Sequence, residues 1–208
     1  RLLEGLLAAA QDLDSTRLAA HLTEGTVLYS FATFLEAVVT PFMHRLGVLW
    51  AAGELSTASE HLVTVMLKQR LLAMLQATAS QAAAPRLLCA CPAGERHELG
   101  LLMFAYSMQQ EGWRVCYLGP DLPMRDLLYA CERVQPVLVT LSLTYVEQQA
   151  SALALLEALD TRCARVYPTW LGGQGLPQER PQPYPHGLQC FPTLQAAQMA
   201  SQRLLRRA

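Results

Sequence analysis

The chain has 208 residues, of which 52% are hydrophobic and 16% are charged, and its formal net charge is -1. This composition excludes an intrinsically disordered chain, because it provides enough apolar side chains for a sizeable core. The near-zero net charge argues against a domain that grips duplex DNA by itself, since such domains ordinarily have a net basic surface. No apolar run reaches the roughly 18 residues of a membrane-spanning helix, so no membrane partner is expected.

The chain contains 6 cysteines, and none of them forms a C-x-x-C motif. Most lie in apolar stretches, which is typical of buried thiols rather than of a metal site or a disulfide framework. Free thiols are maintained in a reducing compartment. The cysteine pattern therefore favours a cytoplasmic protein.

Residues 1–80 carry apolar side chains at helical spacing and are predicted to form a bundle of four or five helices. Pro41 suits the first turn of a helix that runs to Trp50. A longer helix is predicted to begin at Ser56-Thr57, with Glu60 completing a capping box that starts at Thr57. The apolar stripe of this last helix is predicted to comprise Leu62, Val65, Met66, Leu71, Leu72 and Leu75.

Residues 81–208 alternate short apolar runs with helical segments, which favours a parallel sheet with right-handed crossovers. The predicted strands cover residues 86–91, 113–118, 137–143, 165–171 and 188–191. The predicted helices cover residues 98–110, 123–133, 146–160 and 194–207. The predicted fold is thus a helical bundle followed by a flavodoxin-like (Rossmann-like) parallel-sheet domain. Ligands of such sheets bind outside the carboxyl ends of the strands.

A histidine with a nearby carboxylate follows the first predicted strand. Glu95 precedes His97 by two residues, and Gly100 lies on the first turn of the next helix. An imidazole that binds a metal usually donates its other ring N–H to a carboxylate, and Glu95 is placed to accept it. By itself this E-x-H-x-x-G pattern is typical of an ordinary surface loop.

The third and fourth predicted strands end on small or hydroxyl-bearing residues. Ser142 and Thr144 follow the third strand, and Gly172-Gly173 follow the fourth. The glycine spacing differs from that of a dinucleotide-binding fingerprint. Forty-one residues separate Gly100 from Ser142, and 27 separate Thr144 from Gly172. Together these motifs resemble the cobalamin-binding domain with its D-x-H-x-x-G, S-x-L and G-G motifs.

The helical half carries a second signature. Trp50 is followed by 9 residues and then by Glu60-His61. A W-x9-E-H pattern before a cobalamin domain resembles the CarH/LitR light-sensing (MerR-type) family. Three further strings fit the same family, namely GERHELG at 94–100, YLGPD at 117–121 and LGGQG at 171–175.

The resemblance implies a role for each residue at the lower face of the cofactor. His97 would bind cobalt in place of the dimethylbenzimidazole base, and Glu95 would orient it. The slot for the nucleotide tail would be formed by Gly100, Ser142, Thr144, Gly172 and Gly173. Asp121, at the end of the second strand, is expected near the same region.

The resemblance also implies contacts at the upper face. Trp50 would cover cobalt or stack on an adenosyl group, and Glu60 and His61 would hydrogen-bond that group. Adenosylcobalamin is therefore the favoured cofactor, with hydroxocobalamin and methylcobalamin as alternatives.

Three residues depart from the family pattern. Glu95 replaces aspartate and Thr144 replaces the leucine of S-x-L. Ala51 follows the tryptophan where light sensors of this type often have a histidine. Alanine has no donor atom, so that route to an upper histidine ligand after loss of the adenosyl group is closed.

The implied function is a light-responsive regulatory module rather than an enzyme, with a homo-oligomer (dimer or tetramer) in the dark. DNA would be bound only through a MerR-type domain not visible in this sequence, or through a partner protein. The alternatives are an antirepressor-like or fused-output cobalamin sensor, with or without a second tetrapyrrole, and a corrinoid carrier for methyl transfer.

Overall fold

The computed structural model describes residues 1–77, 82–145, 149–177, 179 and 183–205. The chain divides into two compact units, residues 1–73 and residues 74–208. The predicted domain boundary at residue 80 falls within residues 78–81, which lie outside the described residues. Each unit is considered by itself below.

The first unit is helical, as the apolar spacing predicted. Its α-helices are α1 (Leu2–Gln11), α2 (Ser15–Leu28), α3 (Phe31–Phe34), α4 (Thr40–Ala51) and the greater part of α5 (Thr57–Ala77), whose last residues belong to the second unit. Asp14 caps α2, because its side chain accepts the backbone N–H of Arg17 at 2.9 Å. The core of this unit includes Leu6, Leu18, Phe42 and Leu46, each at most 1% exposed.

Pro41 lies in the first turn of α4, as predicted, but no break separates this helix from α3. A π-helical segment, Leu35–Val39, joins α3 directly to α4. The N–H of Thr40 bonds to the carbonyl of Leu35, five residues earlier, instead of four. This wider turn accommodates Pro41, which lacks an N–H and whose ring would crowd the preceding turn of a regular α-helix.

Two predictions for α5 are wrong. Ser56 caps the helix, because its hydroxyl accepts the N–H of Ser59 at 3.0 Å. Glu60 therefore takes no part in a capping box, and its carboxylate binds side chains of its own helix instead. The buried stripe consists of Ser59, Val63, Leu67, Leu71 and Leu75, whereas Val65 is 50% exposed. Leu62, Met66 and Leu72 are partly exposed. The apolar residues of α5 are distributed around its whole circumference, so the sequence alone does not define which side of the helix is buried.

The second unit contains a parallel sheet of five strands in the order β2-β1-β3-β4-β5. The strands are β1 (Arg86–Pro92), β2 (Arg114–Leu122), β3 (Leu138–Ser142), β4 (Thr169–Gly172) and β5 (Gln189–Phe191). The helices are α6 (Leu99–Gln110), α7 (Met124–Val134), α8 (Gln149–Leu159) and α9 (Leu194–Leu205). The predicted flavodoxin-like architecture is confirmed.

Alternating residues of the strands face two separate cores. Leu88 and Ala90 of β1 pack on one side with Leu127 of α7 and Leu156 of α8. The intervening Leu87 and Cys89 pack on the other side with residues of α6 and α9. The sheet is thus covered on both faces, as expected of a parallel sheet.

The fourth strand begins later than predicted. A π-helical turn, Asp160–Ala164, extends α8, and β4 starts only at Thr169. Val166, which the prediction placed in the strand, is 66% exposed. Residues 146–148 and 206–208, at the predicted ends of two helices, lie outside the described residues. Among the described helices, none is both long and apolar enough to cross a membrane.

Candidate ligand-binding site

The centre of the candidate site is a hydrogen-bonded pair in the loop between β1 and α6. Oε1 of Glu95 lies 2.7 Å from Nδ1 of His97 and also accepts the backbone N–H of His97 at 2.6 Å. Glu95 is 2% exposed, whereas the His97 side chain is 62% exposed. The loop thus places a buried carboxylate beneath a solvent-facing imidazole.

The carboxylate defines the protonation of the imidazole. Burial would raise the pKa of Glu95, but hydrogen bonds from Tyr145, His97 and Thr144 outweigh it and lower the pKa. An ionised carboxylate only accepts hydrogen bonds, so Nδ1 of His97 carries the proton and donates it. In the neutral imidazole Nε2 then presents a lone pair to solvent, which is the form that binds a metal ion.

The loop after β3 donates hydrogen bonds to the second carboxylate oxygen of Glu95. Oε2 of Glu95 accepts the backbone N–H groups of Thr144 and Tyr145, the latter at 2.8 Å. The ring of Tyr145 lies beside His97, with centroids 6.1 Å apart and the planes inclined by 58°. Sequence reasoning missed Tyr145, although its position directly after the Ser142–Thr144 motif was a usable signal.

The predicted small residues line the ends of the two central strands. Ser142 and Gly172 are paired in register on β3 and β4. Gly173 has a φ of 113°, and a Cβ atom there would overlap the carbonyl oxygen of Leu143. Glycine at 173 is therefore required for the close approach of the β4 loop to the β3 loop.

Gly100 serves a different purpose. It is exposed in the first turn of α6, and no neighbouring group would lie within 4 Å of an added Cβ atom. No packing of the described protein therefore demands a glycine there. The bare backbone leaves room for another molecule beside the helix.

The end of β2 forms hydrogen bonds with the histidine loop, which is the segment of residues 93–98 that carries His97. Asp121 accepts the N–H of Gly94 at 2.8 Å, and its own N–H bonds to the carbonyl of Glu95 at 2.9 Å. The phenol of Tyr117 donates to Oε2 of Glu98 at 2.6 Å. The expected proximity of Asp121 to the site is thus observed, whereas the Tyr117–Glu98 contact had no signal in the sequence.

The helical unit presents the other predicted residues at its surface. The indole N–H of Trp50, a residue that is 51% exposed, lies 3.3 Å from Oγ1 of Thr57. Thr57 and His61 are one turn apart on the same side of α5. Glu60 holds His61 through Nδ1 at 2.7 Å and accepts the hydroxyl of Thr64 at 2.7 Å. Trp50 is half-exposed and is therefore not part of the core of this unit. The imidazole of His61 is oriented by the carboxylate of Glu60.

These features fit a metal that brings most of its own ligands. Within the described ranges, no group of three or more His, Cys, Asp or Glu side chains could hold a metal ion. His97 instead offers a single oriented Nε2 at the carboxyl end of the sheet. A corrin ring supplies four equatorial nitrogens and needs only one such axial ligand. The open backbone at Gly100 and the small residues at the strand ends fit its nucleotide tail.

Comparison with known families defines the class of protein. Residues 85–182 match the model described as B12 binding domain, and residues 2–74 match a second model with the same description. The chain belongs to the B12-binding proteins, with a helical B12-binding unit followed by a Rossmann-like one.

Two curated relatives are transcriptional repressors. The chain is 31% identical over 175 residues to the HTH-type transcriptional repressor CarA and 32% identical over 170 residues to the HTH-type transcriptional repressor CarH, both of Myxococcus xanthus. These alignments cover 84% and 82% of this chain, but only 59% and 56% of the relatives. The chain is thus similar to CarH-type B12 repressors over its B12-binding region and spans less than two thirds of their length.

Solved corrinoid proteins share the fold. The Methanosarcina barkeri monomethylamine corrinoid protein superposes with a TM-score of 0.69 at 12% identity, covering 98% of this chain and 96% of that protein. The methanol:cobalamin methyltransferase complex MtaBC of the same organism gives a TM-score of 0.51 at 14% identity, covering 100% of this chain and 80% of that one. At these identities the likeness establishes the fold alone.

Proposed function

We propose that this chain is the cobalamin-dependent sensory region of a light-responsive transcriptional regulator, with adenosylcobalamin as its cofactor. One observation carries the proposal: an imidazole fixed by a buried carboxylate presents a free Nε2 at the ligand-binding end of a B12-binding domain. The similarity to two transcriptional repressors supports the regulatory part. The pattern Trp50-x9-Glu60-His61 supports the adenosyl form and the light response.

In this proposal the second unit holds the lower side of the cofactor. His97 binds cobalt through Nε2, and Glu95 keeps the imidazole in the required tautomer and orientation. The nucleotide tail passes Gly100 and is lined by Ser142, Thr144, Gly172 and Gly173. Asp121 stabilises, through hydrogen bonds, the loop that carries His97.

In this proposal, residues of the helical unit contact the upper ligand of the cofactor. The exposed indole of Trp50 offers an apolar face on which an adenine ring can stack. Glu60 and His61 supply hydrogen-bonding groups on the neighbouring helix. When bound, adenosylcobalamin supplies a cobalt–carbon bond that light cleaves. Trp50, Glu60 and His61 would contact the adenosyl group only while it is bound, and a ligand shifts a conformational equilibrium only through such differential contacts.

The output is proposed to be a change of conformation or oligomeric state, from a dark dimer or tetramer. DNA is reached through a domain outside this chain or through a partner protein. Because Ala51 offers no donor atom, the side chain after Trp50 would not bind cobalt in the illuminated state; water, another histidine or no ligand would take that position, or the sensing differs.

A corrinoid carrier for methyl transfer is the second candidate. The superposition on the monomethylamine corrinoid protein over nearly its full length favours it, because the two-unit architecture is the same. The cofactor would then be methylcobalamin and would exchange its methyl group with partner enzymes. An antirepressor-like sensor of hydroxocobalamin is distinguished from the photosensor by the absence of light-dependent assembly, and from the carrier by the absence of methyl transfer.

Absorption spectroscopy after reconstitution separates these functions. The chain is loaded in the dark with adenosylcobalamin, and its spectrum and size-exclusion elution are recorded before and after green light. A spectral change together with a change of elution volume is expected. An identical illumination of the hydroxocobalamin-loaded chain serves as control and should change neither. Binding without any change of elution would contradict the photoswitch, and transfer of a methyl group from the methylcobalamin-loaded chain to a thiol or tetrahydrofolate would favour the carrier.

A further inference from the structure

We infer that the end of β2, chiefly through Asp121, is a positioning element for His97. It holds the loop of residues 93–98 from the side and thereby sets the direction of the His97 imidazole. The inference deepens the proposed function, because it rests on His97 as the cobalt ligand.

The geometry of β2 is irregular where it meets this loop. The register between β1 and β2 shifts twice, so that Ala90 pairs with Gly119 and Pro92 pairs with Leu122. From the Cys89–Tyr117 pair to the Pro92–Leu122 pair, five steps along β2 therefore oppose three along β1, and each shift leaves one additional residue in β2, as in a β-bulge. Bulges redirect side chains, and here the bulged segment turns Asp121 toward the histidine loop.

Asp121 makes two hydrogen bonds to the loop, accepting one through its carboxylate and donating the other through its backbone N–H. Its carboxylate accepts the N–H of Gly94 at 2.8 Å, and its own N–H donates to the carbonyl of Glu95 at 2.9 Å. The φ of Asp121 is 58°, in the left-handed region that aspartate and asparagine tolerate better than most side chains. Both the side chain and the backbone conformation are thus adapted to this contact.

A second contact fixes the other end of the loop. Glu98 is 7% exposed and accepts the phenol of Tyr117 at 2.6 Å. His97 lies between the residues held by Asp121 and the residue held by Tyr117. The imidazole itself is 62% exposed, and within the described part of the chain its Nδ1 contacts the carboxylate of Glu95. Its direction therefore depends on where β2 holds the backbone of the loop.

Three substitutions at Asp121 distinguish the contribution of its carboxylate from that of its left-handed backbone conformation. Asp121→Asn retains an acceptor for Gly94 and the left-handed conformation. Asp121→Gly retains the conformation but removes the acceptor, and Asp121→Ala removes both. Asp126→Asn, which neutralises another carboxylate of the same unit, controls for the loss of charge. Tyr117→Phe tests the second contact independently and covers the case in which the Asp121→Gly protein does not fold.

The first readout uses the cofactor-free protein. Nitrogen-15 NMR of the His97 ring should show a single Nδ1-protonated tautomer in the wild type and in Asp121→Asn, and averaging of the two tautomers in Asp121→Gly and Tyr117→Phe. The second readout is the hydroxocobalamin-loaded protein. Its dissociation rate should rise about tenfold in Asp121→Gly, as expected for the loss of one hydrogen bond, and remain unchanged in Asp121→Asn and Asp126→Asn.

The two readouts distinguish the inference from the proposed function. An Asp121→Gly protein with the ring signals and dissociation rate of the wild type would overturn the positioning role, even if His97 binds cobalt. Equal effects of Asp121→Asn and Asp121→Gly would also overturn it, because the acceptor would then be irrelevant. Altered ring signals in a protein whose wild type never shows a histidine-ligated cobalamin spectrum would support the positioning role and contradict the proposed function.

Discussion

Glu95 and Tyr145 are 50 residues apart in sequence, yet the carboxylate of Glu95 accepts the backbone N–H of Tyr145 at 2.8 Å. This contact joins the loop after β1 to the loop after β3. Glu95 therefore does more than orient His97, because the same side chain fixes the relative position of two strand ends.

Glu95→Gln should lower stability as well as cobalamin binding. The amide group of glutamine has one oxygen, so it cannot accept from His97 and from the backbone N–H groups of Thr144 and Tyr145 at once. The unsatisfied buried donors should cost about 1–3 kcal/mol of the free energy of unfolding. Urea unfolding of the cofactor-free protein at pH 7 measures this loss. A variant as stable as the wild type would show that the Thr144 and Tyr145 contacts contribute nothing.

The contribution of Glu95 should disappear in acid. Hydrogen bonding lowers its pKa in the folded state from the ordinary value of 4.5. The folded state therefore gains stability above pH 4.5, and this gain is lost as the pH falls through the lowered pKa of the folded state. Urea unfolding between pH 7 and pH 3 should show the wild type losing more stability than Glu95→Gln. Parallel curves for the two proteins would contradict the assignment to this carboxylate.

Gly173→Ala and Gly100→Ala should have opposite consequences. At Gly173 an added Cβ atom meets the Leu143 carbonyl in a left-handed backbone, and unfolding free energy should fall by about 3 kcal/mol. At Gly100 it meets open space in a helix, so stability should stay the same or rise by up to about 1 kcal/mol. Thermal unfolding and equilibrium binding of hydroxocobalamin are measured for both variants.

Only binding should be weakened in the Gly100→Ala protein. Its higher or equal melting temperature serves as the internal control for folding. Unchanged cobalamin affinity in this variant would exclude the space beside Gly100 from the cofactor site.

His97→Ala should leave the fold intact and change the ligand of cobalt. The side chain is 62% exposed, so little packing is lost. The bound hydroxocobalamin should lose the spectrum of histidine ligation and become base-on or water-ligated, with weaker binding. His186→Ala is a suitable control, because the fixed backbone contacts of His186 to Asp160 do not depend on its ring. A His97→Ala spectrum identical to the wild type would remove His97 from the site.

Trp50→Ala should separate cofactor binding from the light response. Trp50 is 51% exposed, and its indole N–H donates a hydrogen bond to the hydroxyl of Thr57. The variant should therefore fold and bind adenosylcobalamin, but its elution volume should not change on illumination. Normal light-dependent assembly of this variant would contradict the role of Trp50 at the upper face.

Much of the fold follows from local patterns in the sequence. Apolar runs of strand length alternate with helical segments in residues 86–205, and this alternation suffices to predict a parallel sheet. A helix start that depends on a near neighbour is readable at Asp14, whose side chain accepts the N–H of Arg17, whereas the capping box expected from Thr57 to Glu60 does not form. The boundaries of β4 and the π-helical segment before α4 were not predicted, because both depend on how an exposed or proline-containing segment is accommodated.

The sequence by itself determined that Glu95 and His97 share a loop at a strand end, because two residues of separation fix that geometry. It also determined the small residues that follow β3 and β4. Only the tertiary structure decided that Tyr145 flanks His97 and that Asp121 and Tyr117 hold its loop. It likewise decided which side of α5 is buried. The physical reason is the same in each case: these contacts join residues on different strands or helices, and their partners are selected by packing and backbone register rather than by spacing along the chain.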